Sequence, residues 1–179
     1  RLRVGTRAGG GPGRMLFWWT GRFVVQPRAS VRLRTHLIRA KSMKLLLDTG
    51  PWVALHCRDD FHHAWARAQF SNHPGPFLTC EAVVAETCFL LARGGFDPGK
   101  ALALIERGVV QVAMSLRDEI TSVRALFERY DNVPASLADA CLIRLAELHE
   151  PSRVLTLDSD FHIYRRHGRK SIGLITPVD

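Results

Sequence analysis

Between Lys44 and Ile175, short apolar runs alternate with stretches of helical periodicity. Lys44–Leu47, Pro76–Thr79, Val154–Leu157 and Ile172–Ile175 read as short strands, and Val109–Ala113 alternates as one. The intervening helices are predicted at Trp52–Cys57, Asp60–Phe70, Glu81–Ala92, from Asp97-Pro98 to Arg107, from Ser115 to about Tyr130, and at Ser136–Glu150. Short apolar strands separated by helices imply a parallel sheet with helices on both faces. In such sheets ligands bind beyond the carboxyl ends of the strands, near a topological switch point.

Two strands end in an aspartate at that edge, Asp48 after Leu45-Leu46-Leu47 and Asp158 after Leu155-Thr156-Leu157. Aspartate is also a good helix N-cap, so either one alone fits a cap or a site. Two other acids stand in apolar company: Glu86 in Val83-Val84-Ala85-Glu86-Thr87-Cys88-Phe89, and Asp139 in Ser136-Leu137-Ala138-Asp139-Ala140-Cys141-Leu142. A lone buried carboxylate is costly. Each has a plainer explanation: Glu86 could pair with Arg93 or Arg67, and Asp139 could sit in the first turn of its helix.

Considered together, four carboxylates converge only if something offsets their repulsion. A hard divalent cation does so, and oxygen-only ligation suits Mg²⁺ or Mn²⁺. No His or Cys accompanies the acids at ligand spacing, which disfavours zinc. Acidic clusters of this kind serve phosphodiester chemistry.

LLLDTGPWVAL, VVAET, SLADACLIRLAE and VLTLDSDF, in that order, resemble the four acidic motifs of PIN-domain ribonucleases. Each motif alone is weak. The ordered set, with acids 38, 53 and 19 residues apart, is fairly specific, and the likeness covers nearly all of residues 43–179. Many members of that family are VapC-type toxins of toxin–antitoxin pairs. The resemblance implies an α/β chain with a three-layer α/β/α PIN-like fold, whose parallel sheet has about five strands in the order 3-2-1-4-5. It implies a Mg²⁺- or Mn²⁺-dependent endoribonuclease, commonly a homodimer, with RNA as substrate and an antitoxin protein as partner. Separately, four cysteines without a C-x-x-C pair or even spacing point to reduced thiols in a cytoplasmic protein. Carried over residue by residue, Asp48, Asp139 and Asp158 would ligate the metal, and Glu86 would stand beside them or ligate directly. Asp160 is a weaker candidate. Thr49 and Ser136 are candidate donors that orient the carboxylates.

Several other residues invite a role. His62-His63 after Asp59-Asp60 could look like a metal patch, but an exposed helix start is the simpler reading. Trp52 and Trp65 are expected in the core or an interface, ahead of stacking on bases. Arg165, Arg166, Arg169 and Lys170 read first as a solvated loop, second as contacts to substrate phosphates or an acidic antitoxin tail. Leu102, Leu104, Ile105, Val123, Leu126 and Phe127 form an apolar face, explained by packing before an antitoxin groove.

The chain of 179 residues has a net charge of +8. Residues 1–42 hold ten Lys/Arg and no Asp or Glu, whereas residues 43–179 hold fifteen Lys/Arg and seventeen Asp/Glu. The basic character therefore belongs to the leader and says little about nucleic-acid binding by the domain. The leader is expected to be disordered, and its readings are, in order, an artefact upstream of a start at Met43, a basic arm for RNA phosphates, and a transit peptide. No stretch reaches the roughly 18 apolar residues of a membrane span.

Three rival functions remain on sequence grounds. An aspartate-nucleophile phosphatase of the haloacid dehalogenase type would want a second aspartate where Gly50 stands. A non-catalytic PIN-like RNA-binding or scaffold module would usually lack one of the four acids. A protein acting only through its basic leader would lose RNA affinity on truncation to Met43.

Overall fold

The computed structural model describes residues 42–177. The expectations for the basic leader fall, Ser42 apart, outside the described residues. In chain order the elements are β1 (Lys44–Leu47), α1 (Thr49–His56), α2 (His63–Asn72), β2 (Phe77–Thr79), α3 (Glu81–Arg93), α4 (Gly99–Glu106), β3 (Val110–Val112), α5 (Leu116–Arg129), α6 (Leu137–Leu148) and β4 (Ser152–Leu155). A 3-10 turn follows (Ser159–His162), then β5 (Arg165–Arg166), β6 (Lys170–Ser171) and β7 (Gly173–Ile175).

Five strands form one sheet in the order β3-β2-β1-β4-β7, and every neighbouring pair is parallel. This is the expected three-layer α/β/α order, 3-2-1-4-5 when only sheet strands are counted. The intervening β5 and β6 pair with each other as a small antiparallel hairpin. The chain runs outward from β1 through β2 to β3 and then returns to place β4 on the other side of β1, so the switch point lies between β1 and β4.

The core explains why these runs become strands. Leu46 and Leu47 of β1, Leu78 of β2 and Val154 and Leu155 of β4 are all buried, as doubly covered strands require. Helix α6 is buried on most of its circumference, through Ala138, Ala140, Cys141, Leu142, Ile143, Leu145 and Ala146. A helix apolar on that many sides belongs in the interior, and α6 packs on β1 and β4. Its one cation, Arg144, bonds Glu119 of α5 and Glu147, both at 2.8 Å.

Several sequence expectations shift at this level. Helix α1 begins at Thr49, before the expected Trp52, because the Asp48 side chain caps it. Strand β4 spans Ser152–Leu155 and releases Thr156 and Leu157 to the strand end. Trp52 is fully buried in the core and Trp65 packs against it. Of the apolar face on the 97–130 helices, Leu104, Val123 and Leu126 are buried, while Leu102 and Phe127 stay largely exposed. The basic run is no loop, since Arg165 and Arg166 form β5. Arg165 donates to the carbonyls of His162, Ile163 and Tyr164, and Arg166 pairs with Glu150 at 3.1 Å. Those two cations hold the hairpin; Arg169 and Lys170 face solvent.

Candidate active site

Parallel pairing of β1 with β4 sets Leu47 beside Leu155, so the next residues, Asp48 and Thr156, stand side by side. The ladder continues past the strands, with the Asp48 N–H donating to Leu155 O at 3.1 Å and the Thr156 N–H to Ile175 O at 3.2 Å. Thr156 Oγ1 then donates to Asp48 Oδ2 at 2.6 Å, and Asp48 Oδ1 accepts the Thr49 N–H at 2.6 Å. The same Thr156 hydroxyl accepts the Asp158 N–H at 2.9 Å. One threonine thus fixes the backbone of one acid and the side chain of another.

The other acids are held from one side only. Asp158 Oδ1 accepts the Asp160 N–H at 2.8 Å and caps the 3-10 turn. Glu86 Oε2 accepts from Thr49 Oγ1 at 2.8 Å. Asp139 and Ser136 form a capping box: Asp139 Oδ2 accepts the Ser136 N–H at 2.8 Å, and Ser136 Oγ accepts the Asp139 N–H at 3.1 Å. Among the described residues Asp139 Oδ1, Asp158 Oδ2 and Glu86 Oε1 keep no hydrogen-bond partner. Asp48 and Asp158 are therefore caps and candidate site residues at once. Ser136→Ala removes half of the box and is expected to destabilise the fold by about 1 kcal/mol. A lower urea midpoint with unchanged slope checks it.

Asp48, Glu86, Asp139 and Asp158 line one cavity of about 430 Å³, with Thr49, Gly50, Leu90, Ser136 and Leu157. No Lys or Arg among the described residues lines it. Gly50 allows the close approach of α1 to the strand end, because a Cβ there would lie 3.2 Å from Leu157 Cβ. Burial, with a smaller contribution from the charges of Asp139 and Asp158, pushes the Asp48 carboxyl up to about 6 against the lowering bonds from Thr156 and Thr49. Burial also raises Asp139, and Asp158 and Glu86 add to the rise. The four acids lie in one another's field, a condition that favours a bound cation.

The geometry sorts the sequence candidates. Glu86 is bonded by Thr49, in place of the Arg93 or Arg67 partner considered from the sequence. Asp160 is not among the lining residues; its backbone N–H positions Asp158. His63 Nδ1 bonds Ala54 O at 2.8 Å, and neither His62 nor His63 lines the acidic cavity. Thr156, first of the Thr156-Leu157-Asp158 pattern, has a positioning role that the sequence alone does not assign. Its signal was there, two residues before Asp158 on a strand paired with the one that ends in Asp48.

Among the described residues no group of three or more His, Cys, Asp or Glu is arranged to hold a metal ion as it stands. The donor chemistry nonetheless fits a hard divalent cation: carboxylates only, three of them tied by one oxygen with the other untied.

A doubly covered parallel sheet with an acidic cavity outside its switch point defines an α/β protein with four carboxylates gathered at the strand ends. Residues 45–166 match the family model of the PIN domain, and the chain belongs to that family. Among solved structures it is similar to a Mycobacterium tuberculosis protein, VapC20, described as a sarcin-ricin loop cleaving toxin. The match has 24% identity and a TM-score of 0.61, and covers 65% of this chain and 92% of that one. At that identity the likeness carries the fold. No curated protein matches the chain. No helix among the described residues is long and apolar enough to cross a membrane.

Proposed function

We propose that this chain is a Mg²⁺- or Mn²⁺-dependent endoribonuclease that hydrolyses RNA phosphodiester bonds, and the toxin of a toxin–antitoxin pair. The observation that carries the reading is the lining of one cavity by Asp48, Glu86, Asp139 and Asp158, four acids drawn from four separate segments. The PIN family match supports the nuclease assignment. The toxin assignment leans on the fold shared with a protein described as a toxin.

Asp48, Asp139 and Asp158 would hold the cation, with Glu86 in direct contact or bonded to a water between. Bound there, such an ion makes water a better nucleophile and offsets charge on the attacked phosphate. The protein's own part is positioning. Thr156 holds Asp48 at the end of β1, the capping box holds Asp139 at the start of α6, and Thr49 holds Glu86 on α3. Each bond fixes the direction in which a carboxylate presents its other lone pairs, which is how outer partners tune a metal site.

Thr156→Val removes the donor that lowers the Asp48 pKa while keeping the side-chain shape. Cleavage is expected to fall about 10- to 100-fold, with the pH profile displaced to higher pH because Asp48 ionises later. A pH–rate profile at a fixed, sub-saturating Mn²⁺ concentration, where protons compete with the metal for Asp48, reads both effects; an unmoved profile would show that Thr156 does not position Asp48. The overall proposal is tested by expression in a bacterial host. The wild-type chain should arrest growth and degrade RNA, and Asp139→Asn should do neither. Equal toxicity of the two would contradict it. A homodimer, expected from the family resemblance, is checked by sedimentation.

A further inference from the structure

A cavity of about 540 Å³, larger than the acidic one, opens where the end of α1, the loop after it, α2 and the start of α4 meet. Its lining among the described residues is Leu55, His56, Arg58, His63, Arg67 and Lys100, with no carboxylate. Arg58, Arg67 and Lys100 are exposed, and none of the ion pairs among the described residues uses them. The nearest acids in sequence are Asp59 and Asp60 beside Arg58, and Asp97 before Lys100; Asp97 Oδ1 accepts the Gly99 N–H at 2.8 Å. Asp59 faces solvent, and Asp60 accepts the His62 N–H at 2.7 Å. Burial first, then the charges of Lys100 and Arg107, pushes the His56 pKa down.

Among the described residues no cationic side chain lines the acidic cavity, so the protein offers a polyanion no side-chain grip there. Residues 43–179 carry more acids than bases, so cations left unpaired in one place are notable. Helix α1 joins the two cavities: its cap is Asp48 and its last residue is His56. Eight residues at about 1.5 Å each separate them by roughly 12 Å, a distance that a few nucleotides of single strand span. Two of the three free cations are arginines, whose planar fork matches phosphate oxygens.

We propose that the cavity lined by Arg58, Arg67 and Lys100 binds the phosphates of the RNA strand a few nucleotides from the bond held at the four acids. This rests on the nuclease reading above and adds a substrate subsite to it. The acids supply the chemistry; this cavity supplies the electrostatic grip that they lack.

The test uses the full chain in EDTA, a labelled single-stranded RNA of mixed sequence, and fluorescence anisotropy across a salt series. Arg67→Glu with Lys100→Glu is expected to weaken binding roughly 10- to 30-fold at 0.1 M salt, and to lower the log–log salt slope by about 1.4, two phosphates' worth. Both positions are exposed, and an unchanged melting temperature confirms the fold. Arg169→Glu with Lys170→Glu makes the same change in net charge on the hairpin and is expected to cost less than about threefold. Equal losses in both pairs, or none in the first, would overturn the subsite. So would unchanged RNA affinity beside a lost affinity for polyglutamate, which would assign the cavity to an acidic peptide. If the wild-type chain cleaves RNA in Mn²⁺ and the first pair leaves KM unmoved, the subsite alone fails. If binding follows the prediction but no RNA is ever cut, the subsite stands and the nuclease reading fails.

Discussion

Replacing Asp139 by Asn is expected to lower RNA cleavage by roughly 10²- to 10³-fold or more while leaving the fold intact. The two halves of this expectation come from the two oxygens. Asp139 Oδ2 accepts the Ser136 N–H in the capping box, and an Asn carbonyl oxygen takes over that bond. The other oxygen has no protein partner among the described residues and belongs to the acidic cavity. In Asn an NH₂ group stands there, which carries no charge and cannot ligate a cation. The loss should fall on kcat at saturating RNA, because the cut made is to chemistry, while binding in EDTA stays near wild type. Stability should hold or rise slightly, since burial and neighbouring acids already disfavour the Asp139 charge. Full activity in both Asp139→Asn and Asp48→Asn would sink the site assignment.

Asp48→Asn is expected to stabilise the metal-free protein by up to about 3 kcal/mol at pH 7 while abolishing cleavage. Asp48 is raised from 3.8 to about 6, burial being the main cause and Asp139 and Asp158 adding to it. An acid held higher in the fold than in the unfolded chain favours folding while it is protonated. That contribution is complete below pH 3.8 and is lost as pH rises through about 6. The pKa difference of about two corresponds to about 3 kcal/mol, a ceiling because the Asn amide fits Thr156 less well. Urea denaturation in EDTA from pH 4 to pH 8 should show wild-type stability falling up to about pH 6 and then levelling. The Asn variant should lack most of that fall. Added Mn²⁺ should restore the wild type and do little for the variant, since a ligand stabilises only the state that binds it. Parallel pH curves for the two proteins would contradict the buried, repelled carboxylate.

The sheet was legible because its strands are doubly buried. Leu46, Leu47, Val154 and Leu155 read as continuous apolar runs, and the helices between them show clean periodicity. The four acids were legible for the opposite reason, as charges where the pattern calls for apolar residues or a strand end. What escaped depends on contacts between distant segments. The hairpin β5–β6 has two-residue strands with three cations among its four residues, and its support comes from Glu150 and from carbonyls that no local pattern reveals. Thr156 looks like an ordinary strand residue until pairing in register sets it beside Asp48. The cationic cavity joins Arg58, Arg67 and Lys100, which periodicity treats as unrelated surface positions.

The most direct test of the central claim is cleavage of a panel of single-stranded and structured RNAs by the purified full chain in Mn²⁺, in Mg²⁺ and in EDTA, with Asp139→Asn run beside it. Cutting is expected to require the metal and to disappear in the variant. Cutting that persists in EDTA or in Asp139→Asn, or no cutting of any RNA by a folded sample that binds Mn²⁺, would contradict it.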